Sequence, residues 1–226
     1  MKYMLALLGG ILAGVVLFGL LLYVNPFAKA PGVSPLAVSQ SSMFELTFSA
    51  VPDDTVATIY SSKARPDSHP VRVEDLWDPA LANTKVTVTA LRSSRGQPRA
   101  IGVKFSSLAK EAGLLQAKVP VNSNWHLWML NDGGLFIDQT ENQWFLLRDV
   151  IVPAYLGSEG AWRGTWYGIK TIGPGALGTG RVTGGSGKLN GVQGEAVESA
   201  IVRAYQADRG PVAMDVNLTL SLPATE

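Results

Sequence analysis

Residues 173–194 read GPGALGTGRVTGGSGKLNGVQG, and the role of these glycines decides the fold. Gly173 to Gly178 satisfies the G-x-G-x-x-G spacing of a dinucleotide-binding turn. That turn must follow a buried parallel strand and open a helix, so that free N–H groups face a pyrophosphate. Here Pro174 removes one donor, and another glycine-broken segment and then strands follow, not a helix. Gly187-Lys188 suggests the lysine of a P-loop, but Leu189 stands where Ser or Thr must ligate magnesium. Asn190-Gly191 is instead a hairpin signal, and glycines mark bulges and bends in a closing sheet. The stretch predicts turns between strands, with no phosphate bound.

Around it, apolar residues repeat with period two. Val212, Met214, Val216, Leu218, Leu220 and Leu222 alternate with Ala213, Asp215, Asn217, Thr219 and Ser221. At about 3.4 Å per residue this strand runs roughly 37 Å, a length suited to a barrel or large antiparallel sheet. Ala196–Tyr205 is a second strand, joined to it through Asp208-Arg209-Gly210. Upstream, Phe44, Leu46 and Phe48 share one face, as do Val86, Val88 and Ala90, and Ile101, Val103 and Phe105. Each set predicts a half-buried strand with that face on the core. Helical pattern is confined to Val73–Ala82, broken by Pro79, and Ser106–Ala117, weakened by Gly113. Short strands separated by glycine and polar turns predict an all-β fold, an antiparallel barrel or sandwich, over residues 43–226.

Gly178-Thr179-Gly180-Arg181-Val182-Thr183-Gly184-Gly185-Ser186-Gly187 resembles a hairpin motif of the dirigent and allene oxide cyclase-like barrels. That motif runs G-T-G, a basic residue, a hydrophobic residue, any residue, then G-A/G-S/T-G; the family usually has an aromatic where Val182 stands. The resemblance implies a small antiparallel β-barrel of calycin type. Family members include cyclases, proteins that guide radical coupling and bacterial relatives of unassigned role. The motif carries no catalytic residue onto this chain.

At the other end, Met4 to Val24 reads MLALLGGILAGVVLFGLLLYV without a charge. A helix of that length covers a hydrocarbon core of roughly 30 Å. Ala28-Lys29-Ala30 mimics a signal-peptidase site, but the apolar run exceeds an h-region of about 7–15 residues and Pro31 follows. The expectation is a retained transmembrane helix over residues 1–24 and a Pro/Ser-rich linker over 25–42. Lys2 and the amino terminus outweigh Lys29, which predicts a cytoplasmic N-terminus and a periplasmic C-terminal domain at a bacterial inner membrane. Gly10 and Gly14 form a G-x-x-x-G pair suited to close helix packing in the lipid bilayer.

The chain has 226 residues, 19 Lys plus Arg against 18 Asp plus Glu, and no cysteine. That balance excludes a basic field for nucleic acid, and the missing thiols exclude disulfides, thiolate metal sites and cysteine nucleophiles. His69 and His126 belong to no ligand motif, so no metal, cofactor or catalytic residue is assigned. Glu45, Asp138, Glu141, Glu195 and Glu198 sit in or beside strands; an interior one is a candidate base if desolvation raises its pKa. Charges are rarely buried, which places them on the solvent face by default. Trp125, Trp128, Trp144, Trp162 and Trp166 are candidate cavity or docking aromatics.

Anchor, neutral charge and missing site together suggest a non-catalytic accessory subunit. It would dock on integral membrane protein subunits of a larger complex, for example a photosynthetic reaction centre–antenna or respiratory one. The alternative is a membrane-tethered barrel that binds or isomerises a small hydrophobic molecule. A cavity of about 300 Å³ or more with convergent polar groups favours the alternative.

Overall fold

The computed structural model describes residues 2–25, 28–38, 42–50, 55–60, 84–109, 113 and 116–223. Helix α1 spans Lys2–Val24. The strands are β1 (Ser42–Ser49), β2 (Thr55–Tyr60), β3 (Thr84–Ser93), β4 (Pro98–Leu108), β5 (Pro120–Met129), β6 (Gly133–Asn142), β7 (Ala161–Ile169), β8 (Thr171–Gly173), β9 (Gly180–Gly185), β10 (Gly194–Gln206) and β11 (Gly210–Leu222). Between β6 and β7 lie a helical turn Trp144–Leu146, a π-helical stretch Leu147–Ile151 and a short helix Val152–Leu156, together the 144–156 segment.

All strand pairings are antiparallel, in the order β1-β11-β10-β9-β6-β5-β4-β3. Leu46 opposite Ser93 and Thr47 opposite Arg92 join β1 back to β3, closing an eight-stranded barrel. Closure removes the unpaired edges that an open sheet presents. Between β6 and β10 the wall has two tiers. Toward one end β9 bridges them; toward the other, β7 pairs with β10 and β8 with β6. The glycine-rich stretch forms β9 and its flanking turns, with Gly178 and Gly187 at φ +78° and +67°, where a Cβ is penalised. Its amides are spent on those turns: Gly175 N–H donates to Thr179, Ser186 N–H to Gly134 and Lys188 N–H to Asp132 carbonyls.

Inward residues on β5 (Trp125, Leu127, Met129), β6 (Leu135, Ile137) and β11 (Met214, Val216, Leu218, Leu220, Leu222) are buried and form one core with Leu46, Leu91, Val182 and Val202. From Met214 to Leu222 the alternation of β11 points as its sequence predicts, whereas Val212, expected on the same face, is exposed near the β10–β11 turn. On β3 and β4 the expected face is reversed. Ile101, Phe105 and Ala90 are exposed and Val86, Val88 and Val103 half-buried, while Thr89, Leu91, Ala100, Gly102 and Lys104 are buried. On β4 the Trp125 ring gives the reason. A Cβ on Gly102 would stand 2.7 Å from Trp125 Cζ3 and 2.8 Å from Leu91 Cδ1, so only glycine fits opposite that ring. A one-residue slip would drive Ile101 or Val103 into it.

Two further expectations change. Ser106 to Leu108 continue β4, so the helix expected from Ser106 does not start there; pairing with Val121–Ser123 overrides the local pattern. Val73–Ala82 and His69 lie outside the described residues. The linker is partly docked: Leu36 is buried with Ile169 and Val197, and Ile169 N–H donates to the Pro31 carbonyl. No residue of α1 is buried; its length and composition suit a membrane anchor or a signal sequence.

Substituting Gly102→Ala should destabilise the barrel by about 1–3 kcal/mol, since the Trp125 ring or β4 must shift. Urea unfolding checks this, with an accompanying change in tryptophan fluorescence.

Candidate functional site

Four charged side chains meet inside the barrel. Lys104 comes from β4, Glu141 from β6, Glu198 from β10 and Lys170 from the corner between β7 and β8. Lys104 Nζ lies 2.7 Å from both Glu198 carboxylate oxygens and 2.5 Å from Glu141 Oε1. Lys170 Nζ lies 2.5 Å from Glu198 Oε1 and 2.7 Å from Glu141 Oε2. The two ammoniums and two carboxylates thus form a ring in which every charge has two opposite neighbours. Neutral donors complete the shell. Trp125 Nε1 and Gln139 Nε2 donate to Glu198 at 3.1 and 2.7 Å, and Ser123 Oγ donates to Glu141 at 2.6 Å. Thr171 Oγ1 accepts the Glu198 backbone N–H and donates to Gln139 Oε1.

The backbone at Lys170 explains how the ring is held. Lys170 N–H donates to the Glu198 carbonyl and its carbonyl accepts from Asn142 N–H, so this one residue ties β10 to β6. The same residue sends its ammonium inward between the carboxylates of those strands.

Electrostatics fix the protonation states. Burial by itself would raise the Glu141 carboxyl, but Lys104 and Lys170 outweigh it and hold the group well below the usual carboxylate range. Burial and the facing Glu141 push Glu198 up, and the same two lysines bring it below its ordinary value. Burial pulls Lys170 down, yet both carboxylates raise it above the ordinary lysine range. The expectation of an interior acid with a raised pKa is therefore reversed, because each carboxylate faces two ammoniums. Glu141 and Glu198 are thus held as carboxylates and Lys170 as an ammonium at neutral pH. Lys85, exposed by area at the start of β3, is enclosed by the mouth closely enough that burial and then Lys170 lower its pKa.

Above this charged floor a cavity of about 530 Å³ opens at the barrel end that carries the 144–156 segment. Phe48, Leu146, Ile151, Met214 and Val216 supply apolar wall, and Lys85, Thr87, Ser106 and Arg209 supply polar rim. An ammonium has three donors, and among the described residues Lys170 directs its own to two carboxylates, which leaves one for a guest. A mouth with apolar walls over fixed charges can bind a molecule with one polar end and orient it.

Of the sequence candidates, Glu141 and Glu198 belong to the ring. Glu45 is exposed, and Asp138 and Glu195 are half-buried away from the ring, where they accept from Asn124 and Thr179. Trp125 is buried and supports Glu198 from behind, with Lys104 Nζ 5.3 Å from a ring centroid. Trp128 is exposed on the outer wall, Trp144 is buried against Ala117 at the start of the 144–156 segment, and Trp162 and Trp166 pack partly buried on β7. None of the five lines the cavity. His126 stacks on Phe136 outside the barrel at 4.5 Å, and no metal cluster occurs among the described residues. Lys104 and Lys170 were not singled out by sequence; a lysine set between apolar strand residues in Val103-Lys104-Phe105 is the one available signal, and Lys170 has only Ile169 beside it.

No protein-family model matches the chain, and no curated protein matches it. Among solved structures, the pterocarpan synthase dirigent protein GePTS1 is similar at 10% identity and TM-score 0.41, over 82% of this chain and 86% of that one. The pterocarpan synthase dirigent protein PsPTS1 is similar at 9% identity and TM-score 0.40, over 83% and 98%. Both are dirigent proteins, and at these identities the likeness extends no further than fold. The site is defined by this chain's own residues.

Glu198→Gln should cost about 3–5 kcal/mol, because both buried ammoniums lose half their compensation. The pH dependence has a definite sign. Carboxylates with depressed folded pKa values stabilise fully above their unfolded value of about 4.3, and the contribution is lost as pH falls below it. Lys170, raised, stabilises fully below about 10.4 and loses its contribution only as pH rises beyond that. Urea unfolding from pH 3 to 7 should show an acid-side loss in the wild type and a shallower one in Glu198→Gln.

Proposed function

We propose that this chain is a membrane-tethered barrel that binds a small amphipathic molecule in its open end. The carrying observation is the cavity of about 530 Å³ set over four buried charges. Its size lies within the range of small-molecule sites, and convergent polar groups under apolar walls are what such sites use. Replacing buried ion pairs by well-packed apolar residues is often neutral or stabilising, so a buried ring at the base of a cavity fits ligand recognition better than stability. Binding is favoured over isomerisation by the two carboxylates, which their ammonium neighbours hold below the ordinary carboxylate range, so that neither serves as a general base. The test is native mass spectrometry of the full chain purified in mild detergent. Wild type should carry a small molecule, and Ala50→Trp, which fills the cavity wall, should lose it with its melting temperature little changed. A ligand-free wild type would sink the reading.

A second reading, an accessory subunit of a larger inner-membrane complex, draws on α1. No residue of α1 is buried, and Gly10 and Gly14 leave open space where another helix can approach. In this reading the N-terminus is cytoplasmic and the barrel periplasmic, as Lys2 favours. Gly10→Leu with Gly14→Leu should then reduce co-purification of integral membrane subunits several-fold. Recovery of the wild type as a lone monomer would refute it.

A further inference from the structure

The 144–156 segment is tied to the end of α1. The Tyr23 hydroxyl, in the last turn of α1, donates to the Arg148 carbonyl at 2.9 Å. Just past the helix, the Arg148 guanidinium donates to the Ala28 carbonyl at 3.2 Å. Val24 and Pro153 line one crevice with Tyr23, Arg148 and Asp149. Beneath, Trp144 and Phe145 are buried against Ala117, with Ala28 and Ala30 packed on them. Contacts on both sides of the chain exit thus hold the segment at the level where α1 ends.

That level is defined by length. A helix of 23 residues runs about 35 Å, slightly more than a hydrocarbon core of roughly 30 Å. Its last turn therefore reaches the headgroup layer, where tyrosine rings are favoured. On the short helix whose Pro153 meets the end of α1, Tyr155 and Leu156 stand 62% and 79% exposed. Arg148 and Asp149 form a salt bridge in the same segment, a polar pair suited to the headgroups. An apolar tip beside a charged turn is the pattern of a segment lying in a membrane interface.

We infer that the 144–156 segment is a second membrane contact, with Tyr155 and Leu156 inserted at the headgroup–acyl boundary of the bilayer. The inference rests on α1 being a membrane span. Leu146 and Ile151 of the same segment line the cavity, so the entrance of the binding site opens beside lipid. A membrane-resident amphiphile then reaches the charged floor without crossing bulk water.

The chain has no cysteine, so single-cysteine variants report one site each. Nitroxide-labelled Leu156→Cys, Tyr155→Cys, Val15→Cys in α1 and Ser94→Cys in the β3–β4 turn at the opposite barrel end are compared. Each full chain is reconstituted in phosphatidylcholine–phosphatidylglycerol nanodiscs. Power-saturation measurements should give the 155 and 156 labels an oxygen-to-nickel accessibility ratio several-fold above that at 94, at a depth of about 5–10 Å. Labels at 155 and 156 as water-accessible as 94, with 15 in lipid, overturn the inference and leave the anchor standing. A water-accessible label at 15 overturns both.

Discussion

The ring of Lys104, Glu141, Lys170 and Glu198 is the constraint that sets which way the strands carrying it face. Two carboxylates this close inside a protein repel each other and lose their hydration, and only the two ammoniums between them make the arrangement tolerable. Each member comes from a different part of the wall, so the ring fixes the inward face of β4, β6 and β10 together. A register slip by one residue on any of these would turn a charge outward and strand its partners in the interior. The gap between β6 and β10, where no single strand runs the full height, is closed by the backbone of Lys170.

This constraint divides the interior. Toward the end carrying the β3–β4 and β5–β6 turns, Leu46, Leu127, Leu135, Val182 and Leu220 close the barrel with aliphatic packing. Above them lies the charged floor, and beyond it the walls spread around the cavity. Trp125 spans the two regimes. Its ring packs edge-on against Phe48 at 5.4 Å in the core, while its Nε1 reaches Glu198. The requirement for glycine at 102 follows from that ring, and so does the outward orientation of Ile101 and Phe105.

The attachment of α1 gives the barrel a direction. The linker leaves α1 beside Arg148, passes Ile169 and packs Leu36 on the outer wall before β1 begins at the far end. The open end and the helix end therefore share one structural element, the 144–156 segment. The cavity thus opens at the end of the barrel to which α1 is attached.

By itself the sequence determined the antiparallel strands, the apolar helix and the turn character of residues 173–194. These follow from local patterns: period two on β11, an uncharged run in α1, and glycines where backbone must take positive φ. It marked Glu141 and Glu198 only as carboxylates near strands, and the default of solvent exposure failed for both. Their partners stand far away in the chain; Lys104 lies 94 positions from Glu198. On β3 and β4 the apolar alternation was legible, but which face of β4 meets the core was decided by the Trp125 ring that admits only Gly102 and by the carboxylates that Lys104 meets. Only the tertiary structure could bring the four charges together, because the energy of a buried charge is set by what stands opposite it in space and by nothing in its own segment.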